Sequence, residues 1–256
     1  NAFSKGQPDF GEELADDLLR IIEKHGADKI AAFITEPLAG STGVLIPPKG
    51  YLERIREICT EHDILLIFDE VITGFGRLGT PFAADYFGVE PDMITCAKGL
   101  TSGTVPMGAV MVTKNIYDSF QGGDPKVIDL FHGYTYSAHP LAAAALIATL
   151  DVYEEDGLFE HAKDLSSYWE DALHSLKDLD SIIDVRNLGL VAGVEMETRD
   201  GKPGARGYDV FTDGFHNHNI LLRFTGDTLA LSPPLIAEKQ HIDQIVDILR
   251  KIIPNH

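Results

Sequence analysis

Leu65-Leu66-Ile67-Phe68-Asp69-Glu70 is a run of four large apolar residues that ends in two carboxylates. Four such side chains in a row suit a strand buried on both faces. Carboxylates placed directly after it emerge at its C-terminal end, where open α/β sheets bind their ligands. A plainer reading stays open: acidic residues after a strand also solvate a loop or cap the next helix. An apolar strand ending in Asp-Glu also resembles the magnesium-binding strand of ATPases. That chemistry needs a Gly-x-x-x-x-Gly-Lys-Ser/Thr loop to cradle phosphates, and none occurs in the 256 residues.

Outward from this strand the pattern alternates. The spacing of Leu14, Leu18, Ile21 and Ile22 predicts a helix over 12–25, stopped by Gly26. A strand follows at 30–35, and then a helix over 51–62 with Leu52, Ile55 and Ile58 on one face. Strands at 64–68, 93–96 and 109–112 complete an α/β half with a mostly parallel sheet, expected to be covered on both faces. An alanine-rich apolar stretch, 141–150, predicts a buried segment within a long helix from about 139 to 155. Beyond it the character changes. An amphipathic helix over 158–176 leads into strands at 182–186, 191–196, 220–224 and 229–232, and Ile242, Ile245, Val246 and Leu249 mark a last helix. This divides the chain into 1–154, part of a large α/β domain, and 155–256, a smaller α+β domain.

The composition excludes several function classes. Forty acidic against 21 basic residues give a formal net charge of -19, which disfavours nucleic acid and anionic membrane surfaces as partners. Cys59 and Cys96 lack paired spacing and a His companion, so neither a disulfide framework nor a metal site is expected. A reducing cytoplasm fits this usage. The longest apolar stretch is half a bilayer span. The sequence opens on Asn-Ala-Phe rather than on methionine, consistent with a chain that begins inside a longer protein.

The chemistry gathers around a second strand end. Lys98, in Ile94-Thr95-Cys96-Ala97-Lys98-Gly99-Leu100, lies 29 positions after Asp69 in a Gly-, Thr- and Ser-rich turn. Most lysines are solvated surface charges. Desolvation or a neighbouring positive charge lowers the amine's pKa and frees it to form a Schiff base with a carbonyl. A lysine of that kind paired with a buried aspartate is what pyridoxal phosphate requires: an anchor for its aldehyde and an acid for its pyridinium nitrogen.

Phe68-Asp69-Glu70-Val71-Ile72-Thr73-Gly74-Phe75-Gly76-Arg77-Leu78-Gly79, then Pro91-Asp92-Met93-Ile94 and Ala97-Lys98-Gly99, resemble the signature of the class III pyridoxal-phosphate-dependent aminotransferases. Ile34-Thr35-Glu36-Pro37, Tyr134-Thr135-Tyr136-Ser137-Ala138-His139-Pro140 and Leu231-Ser232-Pro233-Pro234-Leu235 extend the likeness in the same order. The resemblance implies an aspartate-aminotransferase type of fold, with residues 1–154 as the C-terminal portion of the cofactor-binding domain. It implies that Lys98 holds the cofactor and then moves the substrate's α-proton, and that Asp69 keeps the ring nitrogen protonated. Val71, two residues on along an extended backbone, would share the side of Asp69 and pack on the ring, or simply fill core. Thr135 would donate to the cofactor phosphate of a neighbouring subunit, implying a homodimer or a dimer of dimers. Glu36 would join the site network or make a structural salt bridge.

The departures point to a substrate class. Where ornithine-type members carry a second glutamate after Glu-Pro and an arginine three residues before Pro-Pro, this sequence has Ser41 and Ala230. Arg223 stands instead ten residues before Pro233, the place of a mobile carboxylate-gripping arginine in pyruvate-using ω-aminotransferases; a surface residue at a strand end is the plain alternative. The resemblance thus implies amino transfer from an ω-amino acid or amine to pyruvate or a similar 2-oxo acid, through pyridoxal and pyridoxamine phosphate. An aminomutase or other donor specificity on the same scaffold, and a non-catalytic relative, remain alternatives. The family's phosphate-cradling Gly/Ser loop and ring-stacking aromatic are not found in this sequence.

Overall fold

The computed structural model describes residues 2–124, 126, 133 and 135–256. In the first half, α1 (Glu12–Ala15), α2 (Asp17–His25), β1 (Ala32–Thr35), α3 (Tyr51–Glu61), β2 (Leu65–Asp69), α4 (Ala83–Phe87), β3 (Met93–Cys96), β4 (Ala109–Val112) and α5 (Lys114–Ser119) follow one another. The sheet order is β1-β2-β3-β4. The first three strands are parallel, and β4 runs antiparallel at the edge with Met93 opposite Val112. The α/β class and the mostly parallel sheet expected from the sequence are both present.

Among the described residues, helices cover one face of this sheet. Leu66 and Phe68 of β2 are fully buried against Leu18 and Ile22 of α2 and Leu52, Ile55 and Ile58 of α3. Side chains alternate along a strand, so Leu65, Ile67 and Asp69 face the other way. On that side Ile34 is 59% exposed and Val110 63%. The expectation of two covered faces therefore fails for this chain: the short apolar strands have the composition of a doubly buried sheet, but among the described residues no helix lies on the second face.

The helix expected over 12–25 is broken. Asp16 closes α1 and opens α2, its carbonyl accepts Leu19 N–H in a tight turn, and its carboxylate takes Arg54 Nε at 3.0 Å. Leu18 and Ile22 are buried, whereas Leu14 and Ile21 are exposed.

The second half begins with α6 (Pro140–Glu155) and, after Gly157, α7 (Leu158–His174). β5 (Ile182–Leu188), β6 (Val191–Met196), α8 (Ala205–His218), β7 (Arg223–Thr225), β8 (Thr228–Leu231) and α9 (Lys239–Ile252) complete it. This sheet is antiparallel throughout, in the order β5-β6-β8-β7. Trp169 and Leu173 of α7, Val185 and Val194 of the sheet, and Ile242 and Leu249 of α9 form its core. The alanine-rich α6 departs from expectation: Ala142, Thr149 and Tyr153 are buried, but Leu141 and Ile147 stand in the open.

The two sheets are tied together by shared packing. Phe75, Cys96 and Leu100 belong to the core of the second sheet, and Leu38, Val44 and Leu78 pack with Leu188 and Val191. Both cysteines are buried and free. Among the described residues, no helix is long and apolar enough to cross a membrane.

Candidate active site

Three residues singled out in the sequence meet at one edge of the parallel sheet. Glu36 directly follows β1, Asp69 is the last residue of β2, and Lys98 lies two residues beyond β3. Thr35 pairs with Phe68 and Asp69 with Thr95, so Glu36, Asp69 and Lys98 leave neighbouring strands at the same C-terminal edge, with Asp69 in the middle. Both carboxylates are held locally. Glu36 Oε2 accepts Gly40 N–H at 3.0 Å, and Asp69 Oδ1 accepts Val71 N–H at 3.1 Å.

Val71 itself does not sit where extended backbone would put it. The strand stops at Asp69, and the chain turns at once, with Gly74 N–H closing on Glu70 carbonyl at 3.0 Å. The two-residue period of the strand therefore does not extend to Val71. Asp69 captures the Val71 amide instead, as aspartates do when they start turns.

Glu70 does follow the alternation, and it turns inward. It is fully buried, with Ala83 N–H at 2.6 Å and Thr73 Oγ1 at 2.9 Å on one oxygen and Ala84 N–H at 2.9 Å on the other. It thus seats the first amides of α4 and ties the loop after Asp69 into a closed unit. Burial pushes its carboxyl above the usual glutamate range, against the pull of these three donors.

The Lys98 turn is built under constraint. Lys98 has φ of 46°, a left-handed conformation uncommon outside glycine. Gly103 N–H closes on its carbonyl at 3.1 Å. A Cβ on Gly99 would lie 2.7 Å from Phe75 Cβ, so only glycine lets the loop after Asp69 pack on this turn. Tyr153 Oη, from α6, donates to Gly99 carbonyl at 2.7 Å, and its ring stacks on Phe75. Strain of this kind persists where surrounding packing over-determines it, and it concentrates at functional sites. Lys98 is exposed and Asp69 half-buried, in place of the desolvated pair expected, because the bare sheet face adjoins them.

Arg223 and Thr135 lie apart from the strand ends in sequence. Arg223 opens β7 opposite Ala230 and is exposed. Thr225, two residues on, donates its hydroxyl to Ser41 carbonyl at 2.9 Å, in the loop that follows Glu36. Thr135 is exposed in the turn before α6, and Tyr134 of its motif lies outside the described residues.

The sequence matches the family described as Aminotransferase class-III over residues 4–253. The chain belongs to this family. The class-III aminotransferases are pyridoxal-phosphate-dependent, and the fold agrees with theirs. The chain is 61% identical over 253 residues to an omega-aminotransferase of Caulobacter vibrioides, covering 99% of this chain and 57% of that protein. It is 47% identical to the beta-alanine–pyruvate aminotransferase of Pseudomonas aeruginosa, covering 96% and 55%. The structure of an (S)-enantioselective omega-transaminase from Thermomicrobium roseum superposes with a TM-score of 0.86 at 35% identity, over 95% of this chain and 55% of that one. This class-III chain thus spans about half the length of the curated relatives it matches.

Two further residues shape this edge, Glu70 and Tyr153. Glu70 follows the plainer of the two readings of the strand-end carboxylates, capping the next helix, because strand alternation with buried Phe68 directs it into the core. Tyr153 carries no local signal, since only the packing of α6 on the Lys98 turn brings its hydroxyl to Gly99.

Proposed function

We propose that the protein transfers an amino group from an ω-amino acid or amine to pyruvate or a similar 2-oxo acid, using pyridoxal phosphate. The observation that carries this reading is the departure of Asp69 and Lys98 from adjacent parallel strands at one sheet edge. The donor set fits the cofactor: an anchored carboxylate beside an amine that makes no hydrogen bond or ion pair among the described residues. The kinship with enzymes named for omega-amino donors and pyruvate supports the substrate class.

When bound, the cofactor supplies an aldehyde and an electron-withdrawing ring. Asp69 would hold the ring nitrogen, and its negative charge would keep that nitrogen protonated. Lys98 would anchor the cofactor and, as a general base, take the proton from the substrate carbon that bears the amino group. Val71 would pack near the ring, Glu36 would complete the polar edge, and Thr135 would reach a cofactor phosphate in a second subunit of a homodimer or a dimer of dimers. Arg223 would grip the substrate carboxylate with its planar guanidinium. Residues 1–154 would belong to the cofactor-binding domain and 155–256 to the smaller one.

The test is made on the chain together with whatever flanks it in its gene. The protein is mixed with pyridoxal phosphate, reduced with borohydride and mapped by peptide mass. A single label on Lys98, absent from Lys98→Ala, is expected. Label spread over surface lysines, with none at Lys98, would sink the reading.

A further inference from the structure

Arg223 opens a short edge strand whose orientation is fixed on both sides. Phe224 faces α8, 5.4 Å from Phe211 and 6.1 Å from Tyr208 between ring centroids. Residues 223 and 225 therefore share the opposite side of β7. On that side, Thr225 Oγ1 donates to Ser41 carbonyl at 2.9 Å. The Ser41 loop is itself anchored. Arg186 donates from Nη2 to Gly43 carbonyl at 2.6 Å and from Nε to Val44 carbonyl at 2.9 Å, and it is paired with Asp184 and Glu195 of the second sheet. Beside Arg223 across the ladder stands Ala230, which leaves the guanidinium room to swing.

We propose that Thr225 is a positioning residue that sets the aim of Arg223, and through it the preference for acceptors carrying a carboxylate. The inference rests on Arg223 being the carboxylate-gripping residue. Thr225 lies one turn of the strand pleat from Arg223, on the same side, and its hydroxyl fixes that side of β7 to the loop that follows Glu36. Without this bond the edge strand keeps its Phe224 anchor but loses the tie that orients its other side. Arg223 would then sample more directions, and carboxylate binding would weaken while the chemistry at the strand ends stayed as it was.

The experiment uses the holoenzyme in wild-type, Thr225→Val, Thr225→Ser and Arg223→Ala forms. Valine keeps the branched shape and removes the donor, whereas serine keeps the donor. Two acceptors are compared, pyruvate and propanal, which lacks the carboxylate, and the binding of propionate is titrated calorimetrically. Thr225→Val is expected to raise the KM for pyruvate and the Kd for propionate by roughly fivefold, the usual worth of one exposed hydrogen bond. Propanal turnover should be unchanged, and Thr225→Ser should restore wild-type values. Wild-type pyruvate KM and propionate Kd in Thr225→Val, with both raised in Arg223→Ala, would overturn the positioning role alone. Equal losses with pyruvate and propanal in Thr225→Val would overturn it too. Arg223→Ala with unaltered pyruvate KM and propionate Kd would overturn both this inference and the reading of Arg223 on which it rests.

Discussion

Arg77 Nη1 donates to the carbonyl of Pro233 at 2.6 Å, joining the loop that leaves Asp69 to the segment that follows β8. The same nitrogen donates to Leu190 carbonyl at 3.1 Å, and Leu190 N–H returns a bond to Arg77 carbonyl at 2.9 Å. The guanidinium meets carbonyls rather than carboxylates, and burial lowers its pKa from the usual arginine value. Arg77→Met would leave both carbonyls short of a donor, at a cost of about 2 kcal/mol. A fall in Tm of roughly 4–8 °C is expected, given about 2–4 °C per kcal/mol for a chain of this size. Arg77→Lys should recover part of it, because one ammonium cannot reproduce the guanidinium's fork. A Tm for Arg77→Met within a degree of wild type would show that the bridge carries no stability.

Glu70 gives the molecule a pH dependence of definite sign. Its carboxyl is raised by burial, so the folded state holds the proton more tightly than the unfolded chain does. The stability it contributes is complete below the ordinary glutamate value and is lost as pH rises through the folded value. Glu70→Gln removes the titration and sets an amide group against one of the helix N–H donors. Urea denaturation of both proteins across that window should give a wild-type advantage that shrinks as pH rises. A difference independent of pH would mean that Glu70 titrates alike in both states.

The Lys98 turn tolerates little change at its neighbour. Gly99→Ala forces a Cβ against Phe75, and the only relief is to shift the loop after Asp69 or the turn itself. Either shift separates the two strand-end residues, so borohydride-fixed cofactor at Lys98 should fall by about tenfold, one factor of ten being roughly 1.4 kcal/mol of lost fit. Tyr153→Phe keeps the ring stacked on Phe75 and removes one donor to Gly99 carbonyl. Its effect on labelling should be the smaller, near threefold, in line with one hydrogen bond. Equal labelling of Gly99→Ala and wild type would show that the turn is not held by this contact.

The parts of the structure legible in the sequence are those fixed by local composition. The strands at 93–96, 109–112 and 191–196 stand where apolar runs and turn residues put them. Asp69 and Lys98 were readable because a strand end delivers its next residues to one edge whatever the rest of the fold does. The helix α8 was not legible. Gly207 and Gly214 lower its intrinsic propensity, and both are there for tertiary reasons. A Cβ at 207 would strike the Gly226 carbonyl, and one at 214 would crowd Ile220 and Leu222. Close approach to the β7–β8 turn at 207, and to the segment that leads into β7 at 214, thus selects residues that read as loop. The short α4 has its first amides seated by Glu70, a contact thirteen residues back that no window around 83–87 contains. Period-two reasoning stops at Asp69 for a similarly local cause, since the strand ends there and Asp69 captures the Val71 amide.

The same β7–β8 turn carries the last prediction. Asp227 is buried, and its oxygens accept Gly204 N–H at 2.9 Å and Gly207 N–H at 3.0 Å, at the start of α8. Burial alone would raise its carboxyl. The donors from Gly207, Gly204, Thr198 and Arg206 outweigh it and hold the group below the ordinary aspartate value. The stability it supplies is therefore present above that ordinary value and lost as pH falls through the lower, folded one. Asp227→Asn keeps one acceptor and turns an amide donor toward a backbone donor, with an expected loss of about 1–3 kcal/mol near neutral pH. On acidification the wild type should lose its advantage and approach the Asn variant, which has nothing to titrate there. Chemical denaturation of the two proteins at neutral pH and at successively lower values measures that difference. A gap that widens in acid would reverse the assigned sign and mean that Asp227 is buried in its protonated form.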